Sequence, residues 1–177
     1  MGYLKNTINV QHAQIPLQTQ GYGSNEVPIV DQSTKSVELT ISSVVSADKK
    51  IFCAPSVGTA NLLQAGIKPG MVIINANGFG REIETVADDF IIVNASGNFF
   101  ANQKIFAYEA KTDGVLIFVG TSNGSITASM EVETAGGEEV EIFFPPTSVV
   151  GPFITPVQCV RVKSLTNISA DKLLYLF

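Results

Sequence analysis

From residue 36 onward, apolar and polar positions alternate with a period of two. Val37, Leu39 and Ile41 are interleaved with Glu38, Thr40 and Ser42, the pattern of a strand with one buried face. Short runs of the same character recur over residues 50–54, 71–75, 82–86, 90–94 and 104–110. Turn chemistry separates them. Ile67-Lys68-Pro69-Gly70 places a proline where φ must be preset and a glycine where φ > 0 is needed. Asn77-Gly78-Phe79-Gly80 reads as a hairpin connection, and Asp88-Asp89 joins the following pair. Residues 61–65 predict one helical turn, ended by Gly66.

A second stretch begins at Gly114. Residues 115–119 are apolar at every position, which predicts a central strand. Ser122-Asn123-Gly124-Ser125 predicts a two-residue hairpin into the alternation of Ile126, Ala128, Met130 and Val132. Gly136-Gly137 marks another turn. Around it, alternation assigns Glu131 and Glu133 to one face and Glu139 and Glu141 to another, as a solvated hairpin end. Pro145-Pro146 then breaks the ladder. In residues 159–163, Val160 and Val162 oppose Arg161 and Lys163, and residues 173–177 are apolar enough to predict a paired, buried strand. About a dozen short strands between turns predict an all-β chain, an antiparallel β-barrel or β-sandwich. Its division into two small β modules is expected at 36–112 and 113–177.

Residues 1–35 keep neither period. Glutamines at 11, 14, 18, 20 and 32, with Pro16 and Pro28, argue against a regular element. Yet Tyr3, Leu4, Ile8, Val10, Ile15 and Leu17 are too apolar for a solvated linker. The segment is expected to be an extended N-terminal arm that lies on a neighbouring subunit through those six residues. Fully extended, it would reach on the order of 100 Å.

Composition narrows the function. Only 15% of the 177 residues are charged while 45% are hydrophobic, so part of the surface is expected to meet a partner. No apolar run approaches the ~20 residues of a spanning helix, and Met1–Asn6 turns polar at once, so no membrane association and assembly in a cytoplasm are expected. The net charge is −5 and the 11 basic residues are scattered, unlike the clustered cations of a nucleic-acid binder.

Little here suggests chemistry. His12 is the one histidine and lies in the arm, away from the rigid scaffold that a triad needs. With His12, Cys53 and Cys159 as the whole supply of soft ligands, an intrachain zinc site lacks its fourth ligand. The two cysteines are read as buried thiols, with a disulfide left open. The acidic residues lack the ligand spacing of a calcium loop. No catalytic, cofactor-binding or metal residue is therefore expected. Phe99-Phe100, at a turn, is the one candidate ligand contact, and it supports an alternative reading as a carbohydrate- or receptor-binding module.

The order of motifs in residues 114–177 resembles small virion proteins of tailed phages and gene-transfer agents, of the head-spike-base type. The resemblance rests on Val119-Gly120-Thr121, on Gly151-Pro152-Phe153-Ile154-Thr155-Pro156-Val157 leading to Val160-Arg161-Val162, and on the final Leu173-Leu174-Tyr175-Leu176. The family's Gly-Thr-Thr-Ala turn is replaced here by Thr166-Asn167-Ile168-Ser169-Ala170. Ala65-Gly66-Ile67-Lys68-Pro69-Gly70-Met71-Val72 is similar to small β modules of capsid-decorating and tail proteins. The resemblance implies a virion accessory protein, either capsid decoration or cement or the base for a head spike or fibre. It would be a homotrimer or homopentamer that contacts the major capsid protein or other virion proteins. As the alternative, the carbohydrate- or receptor-binding module would sit on a tail or baseplate.

Overall fold

The computed structural model describes residues 13–14, 27–58, 61–120, 128–144, 153–168 and 172–177. The chain is all-β. In order, the strands are β1 (Ala13–Gln14), β2 (Val37–Val45), β3 (Lys50–Pro55), β4 (Val72–Asn75), β5 (Gly80–Val86), β6 (Phe90–Val93) and β7 (Lys104–Tyr108). They continue as β8 (Leu116–Val119), β9 (Ala128–Thr134), β10 (Glu139–Phe144), β11 (Phe153–Ile154), β12 (Cys159–Thr166) and β13 (Leu173–Leu176).

Strands β2 to β7 close an antiparallel barrel in the order β2-β3-β6-β5-β4-β7. Alternation fills it. Leu39, Ile41, Ile51, Cys53, Ile73 and Ile83 share one buried core with Ile91, Val93, Ile105 and Ala107, each at the inward position of its strand. The ends are plugged by loop residues, Leu62, Ile67 and Met71 from the β3–β4 connection and Phe99 from the β6–β7 connection. The turn at 61–66 forms as expected, with Ala65 N donating to Asn61 O at 3.1 Å. Gly66 and Gly70 take φ of +83° and +85°, a region that a side chain with Cβ rarely enters.

The second half consists of two sheets, ordered β1-β13-β8-β11 and β10-β9-β12. They share one core of Ile117, Val119, Leu173 and Tyr175 from the first and Ala128, Met130, Val132 and Val162 from the second. Strand β8 is central, between β13 and β11. The Asn-Gly hairpin expected to pair β8 with β9 is not what the ladders show, because the two strands lie in different sheets. Residues 122–125 themselves fall outside the described residues. A turn signal fixes a change of direction, whereas the partner of β8 is chosen by burial of its apolar side chains against the distant β13. A second correction concerns the carboxylates. Glu139 pairs with Glu133, and Glu141 with Glu131, and directly opposed residues of an antiparallel pair share a face. All four therefore lie on one face, not two.

Residues 27–30, the end of the expected arm, belong to this fold. Ile29 N donates to Val160 O at 2.8 Å, and Lys111 N donates to Ile29 O at 2.8 Å. This short strap thus stitches β12 to the exit of the barrel. Ile29 enters the second-half core, while Val27 and Val30 cover Val72, Ile74 and Tyr108 on the barrel exterior. For that reason β4 is buried on both faces.

Both cysteines are free thiols, Cys53 in the barrel core and Cys159 in the second-half core. Burial pushes Cys53 up to about 12, with the Asp89 charge adding to it. It pushes Cys159 up to about 11, against a smaller opposing effect of a hydrogen bond with Thr155. In the unfolded chain both ionise near 9.0. Above that pH the unfolded state sheds protons that the native state keeps, so stability falls as pH rises towards 11. Each thiol is expected to remove about 1.4 kcal/mol per pH unit in that window. Urea midpoints from pH 8 to 11 should show this slope, and a Cys53→Ala, Cys159→Ala double variant should lose that part of it. A slope unchanged in the double variant would contradict the burial.

Candidate functional site

Three connections leave the barrel at one end. The registers Val45 with Lys50, Lys50 with Ile92 and Asn75 with Ile105 bring together the turn after β2, the hairpin at 76–79 and the loop at 94–103. Two buried polar side chains hold that loop from below. Arg81 is fully buried, at 0% exposure, on the inward side of β5 opposite Ile73. Its guanidinium donates to Ala95 O at 3.2 Å and Gly80 O at 2.7 Å, with Ser96 O at 3.5 Å. Burial pulls the Arg81 pKa down, because desolvation disfavours the cation. Asn75 donates from Nδ2 to Asn98 O at 2.7 Å, and its Oδ1 accepts from the backbone of Asn77 and Phe79. Asn98 and Asn102 hold φ of +66° and +65°, a conformation that Asn accepts more readily than other side-chain-bearing residues.

The loop so fixed separates the two phenylalanines singled out by the sequence. Phe99 is 4% exposed and plugs the barrel, so no ligand reaches its ring, whereas Phe100 is 66% exposed. Adjacent residues in an irregular loop carry no period that would have told them apart. Arg81 was not anticipated either. A lone arginine reads as solvent-facing, and its one clue is its even spacing from Ile83.

A cleft of about 440 Å³ opens between barrel and second half. Arg161 of β12 crosses it. Its Nη1 meets Glu82 of β5 at 2.9 Å, and its Nε meets Glu133 of β9 at 3.2 Å. Burial alone would lower the Arg161 pKa, and the two carboxylates more than offset this and raise it. The other cations of the cleft are also matched, Lys68 with Glu109 at 3.0 Å and Lys111 with Asp113 at 3.1 Å. Ion pairs of this kind, three cations against four carboxylates, interlock the barrel and the second half.

The remaining notable surface is apolar. Phe143 on β10 is 65% exposed, and Ile154 on β11 is 44% exposed. Both strands are outermost in their sheets among the described residues. The Phe144 and Phe153 rings, with centroids 5.5 Å apart, set the two edges side by side. The expected arm residues Tyr3, Leu4, Ile8, Val10, Ile15 and Leu17 lie outside the described residues. Among the described residues no group of three or more His, Cys, Asp or Glu is placed to hold a metal ion, and no helix is long and apolar enough to cross a membrane. This chain matches no protein-family model, no curated protein and no solved structure.

Proposed function

We propose that this chain is a structural protein of a tailed-phage virion, decorating or cementing the capsid or forming the base of a head spike or fibre. It would act without catalysis and as an oligomer of three or five copies docked on the major capsid protein or another virion protein. The observation that carries the reading is the pair of adjacent sheet edges bearing Phe143 and Ile154. A strand outermost in its sheet among the described residues offers backbone donors and acceptors to another chain, and exposed apolar side chains on it add burial on contact. The low charge of the chain and the resemblance of residues 114–177 to head-spike-base proteins support the same reading.

The test is sedimentation of the full chain and of a Phe143→Asp variant. The wild type is expected to sediment at three or five times the 18.9 kDa chain mass. The variant, altered at an exposed position, should stay folded and move towards a single chain. A wild type that stays monomeric, or a variant with unchanged mass, would contradict this contact.

A further inference from the structure

We propose that residues 3–7 of one copy add as a strand to the β10 edge of the next copy, with Lys5 against Glu141, Tyr3 against Phe143 and Leu4 against Ile142. This rests on the reading of β10 as an assembly contact and names its occupant. Among the described residues β10 is paired on one side, to β9. Its two faces differ. Glu139, Glu141 and Phe143 are exposed on one, while Val140 and Ile142 pack against the second-half core on the other. Glu139 has a cation, Lys163 of β12. Glu141 has none among the described residues, and it stands opposite Glu131, which accepts from the Ser164 hydroxyl at 3.1 Å. Carboxylates opposed in this way are unfavourable, and a cation added on the side of β10 away from β9 would relieve them. The exposed Phe143 ring, two residues on, would gain from an apolar neighbour on the same side.

Charge and period select the occupant. A second β10, paired about a two-fold axis through Glu141, would set that carboxylate against its own counterpart. Most cations of the fold are already engaged. Lys68, Lys104 and Lys111 are in ion pairs, Lys49 is held on Asn94 O, and Lys50 lies 4.4 Å from the centre of the Phe90 ring. Lys35 is exposed, but two positions from it stand Ser33 and Val37, and Val37 packs against the barrel core. Residues 3–7 lie outside the described residues and enter through their sequence alone. In one antiparallel register Tyr3 falls opposite Phe143, Leu4 opposite Ile142 and Lys5 opposite Glu141, so the aromatic, apolar and charged matches occur together, each on its proper face. The tether favours a neighbouring copy. Ala13 pairs with Leu176 on β13, and β1 and β11 are opposite edges of that sheet, with β11 the edge beside β10. The segment therefore starts on the side away from its own β10. From Thr7 to Ala13 the chain can span about 20 Å. Contact between two different surfaces of like copies is heterologous and can close into a ring, as three or five copies require.

The test is sedimentation of the chain beside Glu141→Lys, Lys5→Glu and the double variant. Each single reversal sets like charges together and is expected to weaken association about tenfold or more. The double variant restores an opposite pair and should regain the wild-type mass. Glu141 is exposed, and unchanged far-ultraviolet circular dichroism would show the variants folded. A monomeric wild type contradicts the proposed function and this inference together. An assembled wild type whose mass ignores Glu141→Lys overturns this inference alone, as does a double variant that stays dissociated. Rescue of Glu141→Lys by Lys35→Glu, and not by Lys5→Glu, overturns the occupant.

Discussion

A chain ending at Lys172 should lose the second-half fold while the barrel persists. Strand β13 lies between β8 and the two residues of β1, and it pairs with β8 along all of Leu173–Leu176. Leu173 and Tyr175 are buried in the core shared by the two sheets. Removing buried side chains of this size costs about 2–5 kcal/mol each. The freed edge of β8 would add unsatisfied backbone groups to that loss. Against a total stability of about 5–15 kcal/mol, a separate second-half core cannot absorb it. The barrel has its own closed ladder and its own core. Amide exchange should therefore lose protection across β8 to β12 and keep it across β2 to β7. Protection unchanged in both halves would show that β13 is not an integral strand.

The second large effect is expected at the strap. A chain starting at Lys35 lacks Val27, Ile29 and Val30, all buried, and the hydrogen bonds of Ile29 to Val160 and Lys111. At about 1.5–3 kcal/mol per buried side chain, the loss is on the order of 5 kcal/mol or more. It falls on both halves, because Ile29 packs in one core and Val30 covers the other half's outer wall. A chain starting at Asn25 keeps the strap and gives up only the β1 ladder among the described contacts. The difference in urea midpoint between the two shortened chains reports residues 25–34, whose buried part is 27–30. Ile29→Ala in the full chain should cost about 2–5 kcal/mol by itself. Equal midpoints for the two shortened chains would contradict the role given to the strap. The comparison also matters for assembly, since oligomer loss in a chain starting at Lys35 would confuse an arm with a damaged fold.

The strands were legible because burial of one sheet face writes a period of two into the sequence, as at Val37, Leu39 and Ile41. The pairing of strands was less so. Asn123-Gly124 carries the chemistry of a hairpin turn, but β8 finds its neighbours in β13 and β11 by burial at long range. The common face of Glu131, Glu133, Glu139 and Glu141 follows from register, which counts residues across the Gly136-Gly137 turn and not along either strand. Like charges opposed in this way are unfavourable. Here Arg161 meets Glu133, Lys163 meets Glu139 and Ser164 donates to Glu131 from β12, a partner strand that local sequence does not reveal. The strap was read as part of an arm because Pro28 interrupts a run of four residues, too short to show a period. At the loop end, the polarity of Arg81 and Asn75 concealed their burial, and Phe100 was visible only as one of two adjacent rings.

The most direct measurement of the proposed function is cosedimentation of this chain with purified tailed-phage capsids prepared without it. The expected result is saturable binding at a fixed ratio to the major capsid protein, reduced by Phe143→Asp. A chain that stays in the supernatant at every concentration would contradict a place on the capsid.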